Sequence, residues 1–299
     1  MERDDGPTAG RPGLLMAIGG AEDKVRERLI LRSFVDACGG PDAHLVVLAT
    51  ASEVAETGER YADLFYQLHA DSVEVLRISN REDALDSGPE TLDLLEYATG
   101  LFLTGGNQLR ITSALGGTAI AAAIRRRHQA GMVVAGTSAG AAVLSEHMIS
   151  MGDSGGTPRR RLVQMAKGLG LAPDMVIDQH FRRRDRLGRL LTALSYNPGP
   201  LGVGIDEDTA ALVDGDGTLR VLGSGAVTVV DASGLRFTDS HLAHRDQPLA
   251  MLGVKLDFLT TGCRYDLARR AGLPPAQAAP GRDAGAADFD PRDLVESLP

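Results

Sequence analysis

Five short apolar runs, each followed by a segment with helical periodicity, fill the first half of the chain. The runs are Leu14–Ile18, His44–Ala49, Ser72–Ile78, Gly100–Thr104 and Met132–Gly136. Strands that are apolar along their length are typical of a parallel sheet covered on both faces by helices. The crossovers between parallel strands place all strand C-termini at one edge, where ligands bind. The sequence therefore predicts a doubly wound, mostly parallel α/β fold with its functional site at that edge.

Helical spacing and terminators predict the helices between and after these runs. The predicted segments are Lys24–Ala37, Tyr61–Leu68, Pro89–Ala98, Leu109–Ala114, Thr118–Ala130 and Asp185–Tyr196. Residues 148–171 are glycine-rich, which predicts a long irregular excursion at the active edge.

Short strands dominate the rest of the chain. They are Met175–Asp178, followed by Gly202–Asp206, Thr209–Val213, Leu219–Leu222 and Ala226–Val230. The turns between the last four predict an antiparallel, C-terminal extension of the same sheet. We expect residues 13–272 to form a single α/β domain, and residues 1–12 and 273–299 to be disordered.

Composition excludes several classes of function. The 299 residues carry a formal net charge of -9, which argues against nucleic acid as a partner. Cys38 and Cys263 form neither a C-x-x-C pair nor a zinc spacing, so we expect no metal and no cofactor. The acidic N-terminus does not read as a signal peptide, and no run of about 18 apolar residues exists. These features favour a cytoplasmic enzyme with no membrane partner.

The pentapeptide Gly136-Thr137-Ser138-Ala139-Gly140 ends the fifth apolar run. A G-x-S-x-G elbow holds a serine in a strained turn between a strand and a helix. Its glycines are needed because a Cβ at either position would crowd the neighbouring strand or helix. This context predicts Ser138 as a nucleophile and the Ala139 N–H as an oxyanion donor. Gly105 and Gly106, which follow the fourth run, are candidates for a second donor.

A serine nucleophile needs a general base within hydrogen-bond reach. His180 follows the short strand at Met175–Asp178 and is the histidine expected at the edge that carries Ser138. The acid that orients it has several candidates, namely Asp153, Asp178, Asp185 and Glu146. The chain order serine–acid–histidine favours Asp153.

A cluster of arginines follows His180 directly, from Arg182 to Arg189. Cations at a helix N-terminus oppose the helix dipole, so their placement costs stability. Because a guanidinium binds carboxylates through a planar fork, the cluster predicts a substrate with carboxylates near the scissile bond.

Several motifs in this order resemble the cyanophycinase family. They are Ile18-Gly19-Gly20-Ala21-Glu22-Asp23-Lys24, Phe102-Leu103-Thr104-Gly105-Gly106-Asn107-Gln108, the elbow through Ala141, and Asp178-Gln179-His180-Phe181 with the arginines after it. The resemblance runs from about Leu14 to Leu259. It implies a flavodoxin-like fold of the class I glutamine amidotransferase type, related to dipeptidase E. It also implies a homodimer.

The resemblance further implies serine exopeptidase action on cyanophycin, a poly-aspartate with arginines on its side-chain carboxyls, to give β-Asp-Arg dipeptides. Ser138 matches the family's nucleophile and His180 its base. A polar pocket for the β-aspartyl unit is matched by five residues: Gln108, Gln179, Arg184, Arg186 and Arg189. The family's acid is implied to be a Glu on the loop between nucleophile and base, but Gly152-Asp153-Ser154-Gly155-Gly156 contains none.

Two other functions stay open at this point. An aspartyl or isoaspartyl dipeptidase of the dipeptidase E type would use the same Ser–His chemistry on a different substrate. A non-catalytic binding protein could retain the scaffold with a vestigial serine.

Overall fold

A computed structural model describes residues 11–244 and 246–275. The helices in this part are α1 Leu29–Ala37, α2 Thr57–Gln67, α3 Arg81–Asp86, α4 Pro89–Tyr97, α5 Gln108–Leu115, α6 Ala119–Gln129, α7 Ala139–Ala142 and α8 Leu187–Tyr196, with a 3₁₀ turn at Gly40–Asp42. The strands are β1 Leu15–Ile18, β2 His44–Leu48, β3 Ser72–Leu76, β4 Gly100–Leu103, β5 Val133–Thr137, β6 His147–Gly152, β7 Val163–Lys167, β8 Met175–Gln179, β9 Leu201–Ile205, β10 Thr209–Val213, β11 Thr218–Gly223, β12 Ala226–Asp231, β13 Phe237–Thr238, β14 Met251–Leu252, β15 Lys255–Thr260, β16 Arg264–Asp266 and β17 Ala271–Leu273.

The first five strands form the parallel half of a nine-stranded sheet, as the sequence predicts. The sheet order is β17-β16-β11-β10-β1-β5-β4-β2-β3, and β1, β5, β4, β2 and β3 run parallel. Their C-terminal ends meet at one edge, so the loops after β1, β4 and β5 lie together. This is the edge that the sequence assigns to the functional site.

Both faces of the parallel strands are buried under helices. Met16 and Ile18 of β1 belong to a core with Phe34 of α1 and Phe65 of α2. The alternate residues of β1 belong to the opposite core, which includes side chains of α4, α5 and α6. Burial on both faces explains why these strands read as apolar runs rather than as alternating ones.

The antiparallel extension is only partly as predicted. β10 and β11 continue the main sheet beyond β1, followed by β16 and β17. The predicted strands 202–206 and 226–230 were assigned to the wrong sheet, because β9 and β12 lie in a second sheet of order β15-β12-β9-β8. α8 connects β8 to β9 as a parallel crossover. The sheet could not be predicted because the pattern of apolar residues along a strand does not say which strands it pairs with.

Three local predictions also need correction. The helix predicted from Lys24 begins at Leu29, because the carboxylate of Asp23 accepts the N–H groups of Val25, Arg26 and Arg28 in a turn. The helix predicted from Asp185 begins at Leu187. Within the excursion predicted to be irregular, β6 and β7 pair as an antiparallel hairpin. In addition, α3, which precedes α4, has no counterpart among the predicted helices.

Residues 1–10 and 276–299, which make up most of the terminal segments predicted to be disordered, lie outside the described residues. The predicted boundary at 273 falls on the last residue of β17. No helix in the described part of the chain combines the length and apolar character that a membrane crossing needs.

Candidate active site

The turn between β5 and α7 has the strained geometry of a nucleophile elbow. Ser138 has φ 54° and ψ -112°, a conformation that costs roughly 1–3 kcal/mol for a residue with a Cβ. A Cβ on Gly136 would lie 2.2 Å from the carbonyl oxygen of Gly140, and one on Gly140 would lie 2.2 Å from that of Leu103. Both glycines are therefore required by close backbone approach, as the sequence predicts.

Ser138 and His180 meet at the predicted edge. The hydroxyl Oγ of Ser138 lies 2.9 Å from Nε2 of His180. The loop after β1 holds both residues: Ile18 O accepts the N–H of Ser138 at 3.0 Å, and Gly19 O accepts that of His180 at 2.8 Å. Ser138 follows β5 of the main sheet and His180 follows β8 of the second sheet, and both are hydrogen-bonded to the backbone at the end of β1.

Gly20 makes room for the imidazole. It has φ +93°, and a Cβ there would lie 2.4 Å from Cε1 of His180. The left-handed backbone and the absence of a side chain are therefore both needed where the ring packs against the β1 loop.

Glu207 occupies the position that the sequence analysis gives to Asp153. Its Oε1 lies 2.7 Å from Nδ1 of His180, and its Oε2 accepts a hydrogen bond of 2.8 Å from Arg183. Asp153 is exposed after β6, and its backbone N–H donates to the carbonyl of Leu162. The choice of Asp153 is corrected on this geometry, since its carboxylate has no contact with the histidine.

The missed residue follows from the topology of the second sheet. β8 and β9 pair in parallel with Gln179 opposite Ile205, so the residues after each strand emerge side by side. His180 follows β8 directly, and Glu207 comes two residues after β9. Because the sequence pattern assigns β9 to the main sheet, it does not predict that His180 and Glu207 are neighbours. A βαβ crossover through α8 would predict it.

The environment of His180 favours the neutral imidazole. Burial lowers the pKa of His180, Glu207 opposes this shift, and the charges of Arg184 and Arg186 lower the pKa further. Burial alone would raise the pKa of Glu207, but hydrogen bonds from His180 and Arg183 hold it below its usual value. A neutral histidine beside an ionised carboxylate is the protonation state that a general base needs.

Of the predicted oxyanion donors, Ala139 and Gly105 lie beside Ser138, whereas Gly106 lies against the backbone of Ala51. Ala139 is fully buried at the start of α7, and a Cβ on Gly105 would lie 3.3 Å from Cβ of Ser138. Within residues 11–244 and 246–275, the N–H groups of Gly105, Gly106 and Ala139 donate to no protein acceptor. They are therefore available to an oxygen bound beside Ser138.

Four of the predicted substrate-binding side chains are engaged with the protein itself. Arg189 binds both carboxylate oxygens of Asp178, through a 2.6 Å hydrogen bond from Nε and a contact from Nη2. Arg186 donates to the backbone and side chain of Gln179 and lies 3.5 Å from Asp178. Gln108 donates to two backbone carbonyls of β6, at 3.1 and 2.8 Å.

This network holds two guanidinium groups against one carboxylate. Asp178, Arg186 and Arg189 are all buried, and burial lowers the pKa of Arg186 to about 10. The fifth predicted residue, Arg184, is exposed, and its charge lowers the pKa of His180. The local excess of positive charge fits an acidic ligand.

A cavity of about 390 Å³ opens onto Ser138 and His180. The loop after β1 and the helix α2 supply most of the rest of its wall, including Glu22, Lys24, Arg60 and Tyr61. No sequence pattern marks Arg60 or Tyr61 as site residues, because both are far from the elbow along the chain. In the described part of the chain, no group of three or more His, Cys, Asp or Glu residues is arranged to hold a metal ion.

Comparisons with known proteins find similar chains among peptidases. A model of "Peptidase family S51" matches residues 14–221. A cyanophycinase of Trichormus variabilis is 45% identical over 262 residues, 87% of this chain and 87% of that protein. One of Synechococcus elongatus is 44% identical over 261 residues, 87% of this chain and 80% of that protein.

The fold also has a solved counterpart. The crystal structure of a peptidase from an acI-B1 Actinobacterium covers 86% of this chain and 98% of its own, with a TM-score of 0.63 at 23% sequence identity. At this identity the likeness concerns the fold alone, and it confirms the predicted α/β class.

Proposed function

The chain belongs to peptidase family S51, and we propose that it is a serine exopeptidase that hydrolyses cyanophycin to β-Asp-Arg dipeptides. The hydrogen-bonded series Ser138–His180–Glu207 is the observation that carries the proposal. Relatives that are cyanophycinases, at 42–45% identity over 84–87% of this chain, support the substrate.

Ser138 attacks the carbonyl carbon of the scissile peptide bond while Nε2 of His180 takes the hydroxyl proton. Glu207 accepts the hydrogen bond from Nδ1–H, which fixes the tautomer with its lone pair on Nε2 and stabilises the imidazolium. The tetrahedral oxyanion binds the N–H of Ala139 and an N–H of Gly105 or Gly106.

His180 then gives its proton to the leaving amine, and the C–N bond breaks to leave an acyl-enzyme. Water attacks this ester with His180 again as base, and the acid product leaves as Ser138 regains its proton.

The positive charge beside the triad supports a polyanionic aspartyl substrate. Arg184 is free to meet a carboxylate from solvent, and the Arg186–Arg189 pair adds a charge that Asp178 alone does not balance. We propose that Gln108, at the start of α5, and Gln179, at the end of β8, set the shape of the same pocket. Their direct contact with substrate stays a prediction.

The decisive experiment is a clearing assay on cyanophycin plates with wild type, Ser138→Ala and Ser154→Ala. Ser154 lies on an exposed loop, so its variant is the matched control. Clearing by wild type and the control, but not by Ser138→Ala at unchanged thermal stability, is expected. Clearing by Ser138→Ala would overturn the proposal. Labelling of Ser138 by a fluorophosphonate probe, abolished in His180→Ala, tests activation of the serine independently.

Parallel assays on cyanophycin, β-Asp-Arg and α-aspartyl dipeptides separate a cyanophycinase from an aspartyl or isoaspartyl dipeptidase. Turnover of the dipeptides with none of the polymer would replace the proposed substrate while keeping the mechanism. A cytoplasmic location and a homodimer stay predictions.

A further inference from the structure

Two cations in the wall of the catalytic cavity have no part in the mechanism above. Lys24, from the loop after β1, and Arg60, from α2, line the same cavity of about 390 Å³ as Ser138 and His180. They do not belong to the arginine cluster from Arg182 to Arg189, which follows β8. Their charge needs an explanation of its own.

The ammonium of Lys24 is held in place by a buried carboxylate. Glu22 accepts from Lys24 Nζ at 2.8 Å, from Thr137 Oγ1 at 2.7 Å and from the hydroxyl of Tyr61. Lys24 Nζ also lies 5.2 Å from the centre of the Tyr61 ring. Because Thr137 precedes the nucleophile, this cluster fixes Lys24 relative to Ser138.

Glu22 is not available to a ligand. Its side chain is 1% exposed, and Lys24, Tyr61 and Thr137 use both of its oxygens. The carboxylate is ionised, since these donors hold its pKa below the usual value although burial would raise it. Glu22 therefore positions Lys24 and does not compete for a substrate cation.

The charge that faces the cavity is positive. Lys24 is 37% exposed and uses two of its three donor hydrogens on Glu22. Arg60 is exposed, and its guanidinium has no hydrogen-bond or ion-pair partner among the described residues. With one negative charge and two positive ones, the wall is suited to a carboxylate.

Resting on the proposed function, we infer that Lys24 and Arg60 bind the free α-carboxylate at the end of the substrate chain. The carboxyl end of the aspartate backbone differs from an interior aspartate by this one charge, which an exopeptidase acting from that end has to recognise. The cavity volume of about 390 Å³ lies at the low end for small-ligand sites, which is enough for one terminal unit. Lys24 and Arg60 are thus specificity-determining residues.

The test uses a synthetic trimer of β-Asp-Arg units in which the α-carboxyl of the last backbone aspartate is either a free carboxylate or an amide; the arginine carboxylates are the same in both. Wild type is expected to prefer the acid by about tenfold or more in kcat/KM, the scale of one charge-assisted hydrogen bond. Lys24→Met and Arg60→Met should each lower kcat/KM for the acid, mainly through KM, and so reduce the preference for the acid over the amide. Arg26→Met removes an exposed charge from the same loop outside the cavity and should keep the full preference.

Lys24→Met leaves Glu22 with fewer donors, so its thermal stability is measured first. Arg60→Met removes no hydrogen bond or ion pair to a described residue and keeps the test valid if Lys24→Met unfolds. Equal turnover of acid and amide by wild type, or an undiminished preference in Arg60→Met, would overturn the inference while leaving the proposed function intact. Failure of wild type to cleave either trimer would instead overturn the proposed function.

Discussion

Glu207 Oε1 lies 2.7 Å from Nδ1 of His180, although the two residues follow different strands and α8 separates them along the chain. β8 and β9 pair in parallel, so the crossover that joins them also brings base and acid together. The second sheet therefore serves the site directly: it supplies two members of the triad, and the main sheet supplies the serine.

Glu207→Gln should lower kcat on cyanophycin by roughly a thousandfold or more, because the amide no longer stabilises the imidazolium and can favour the wrong tautomer. Asp153→Asn is the matched control and should retain wild-type activity, since Asp153 is exposed and it is Glu207 that bonds the imidazole. Steady-state kinetics on both variants decide between the two acids. Loss of activity in Asp153→Asn with a fully active Glu207→Gln would contradict the structure.

The pH dependence of kcat/KM should report the pKa of His180. Because burial lowers this pKa, the acid limb is expected to have its midpoint below about 6.5. Arg184 lowers the pKa and Glu207 raises it, so Arg184→Gln should move the midpoint to higher pH and Glu207→Gln to lower pH. Arg182→Gln, which removes another exposed charge near the histidine, is the control. Shifts of Arg184→Gln and Glu207→Gln in the same direction would refute the assignment.

Gly20→Ala should disable the site through the imidazole. The new Cβ would lie 2.4 Å from Cε1 of His180, and displacement of the ring by about 1 Å costs on the order of a hundredfold in rate. Gly131→Ala is the control, because Gly131 also has positive φ but open space around it. Both variants should lose thermal stability from backbone strain, and only Gly20→Ala should lose kcat. Full activity in Gly20→Ala would show that the ring can move without loss.

Sequence patterns predict the parts of this fold that local chemistry determines. The apolar runs indicate β1 to β5 because burial on both faces demands them, and the elbow glycines are recognisable from the strand–turn–helix pattern around Ser138. His180 is predictable because it directly follows a strand. Glu207 is not, since its role depends on which strands pair, and pairing in the second sheet leaves no local signature.

The arginine cluster shows a second limit. Composition and spacing predict positive charge at the site, but they do not say which guanidinium faces solvent. Arg186 and Arg189 are three residues apart, which places them on one face at the start of α8, and that face meets Asp178. The cost of cations at this helix end is thus offset by a buried carboxylate on a neighbouring strand.

Asp178→Asn should lower the free energy of unfolding far more than the loss of an exposed ion pair does. The variant leaves Arg186 and Arg189 buried without their counter-ion, which costs about 3–5 kcal/mol. Asp214→Asn breaks the exposed pair with Arg220 and should cost at most about 1 kcal/mol. Urea unfolding of both variants gives the free energies directly. Equal, small losses of unfolding free energy in the two variants would mean that Arg186 and Arg189 reach water when Asp178 is neutralised. The network would then be solvent-exposed and would not support β8 and His180 from within the core.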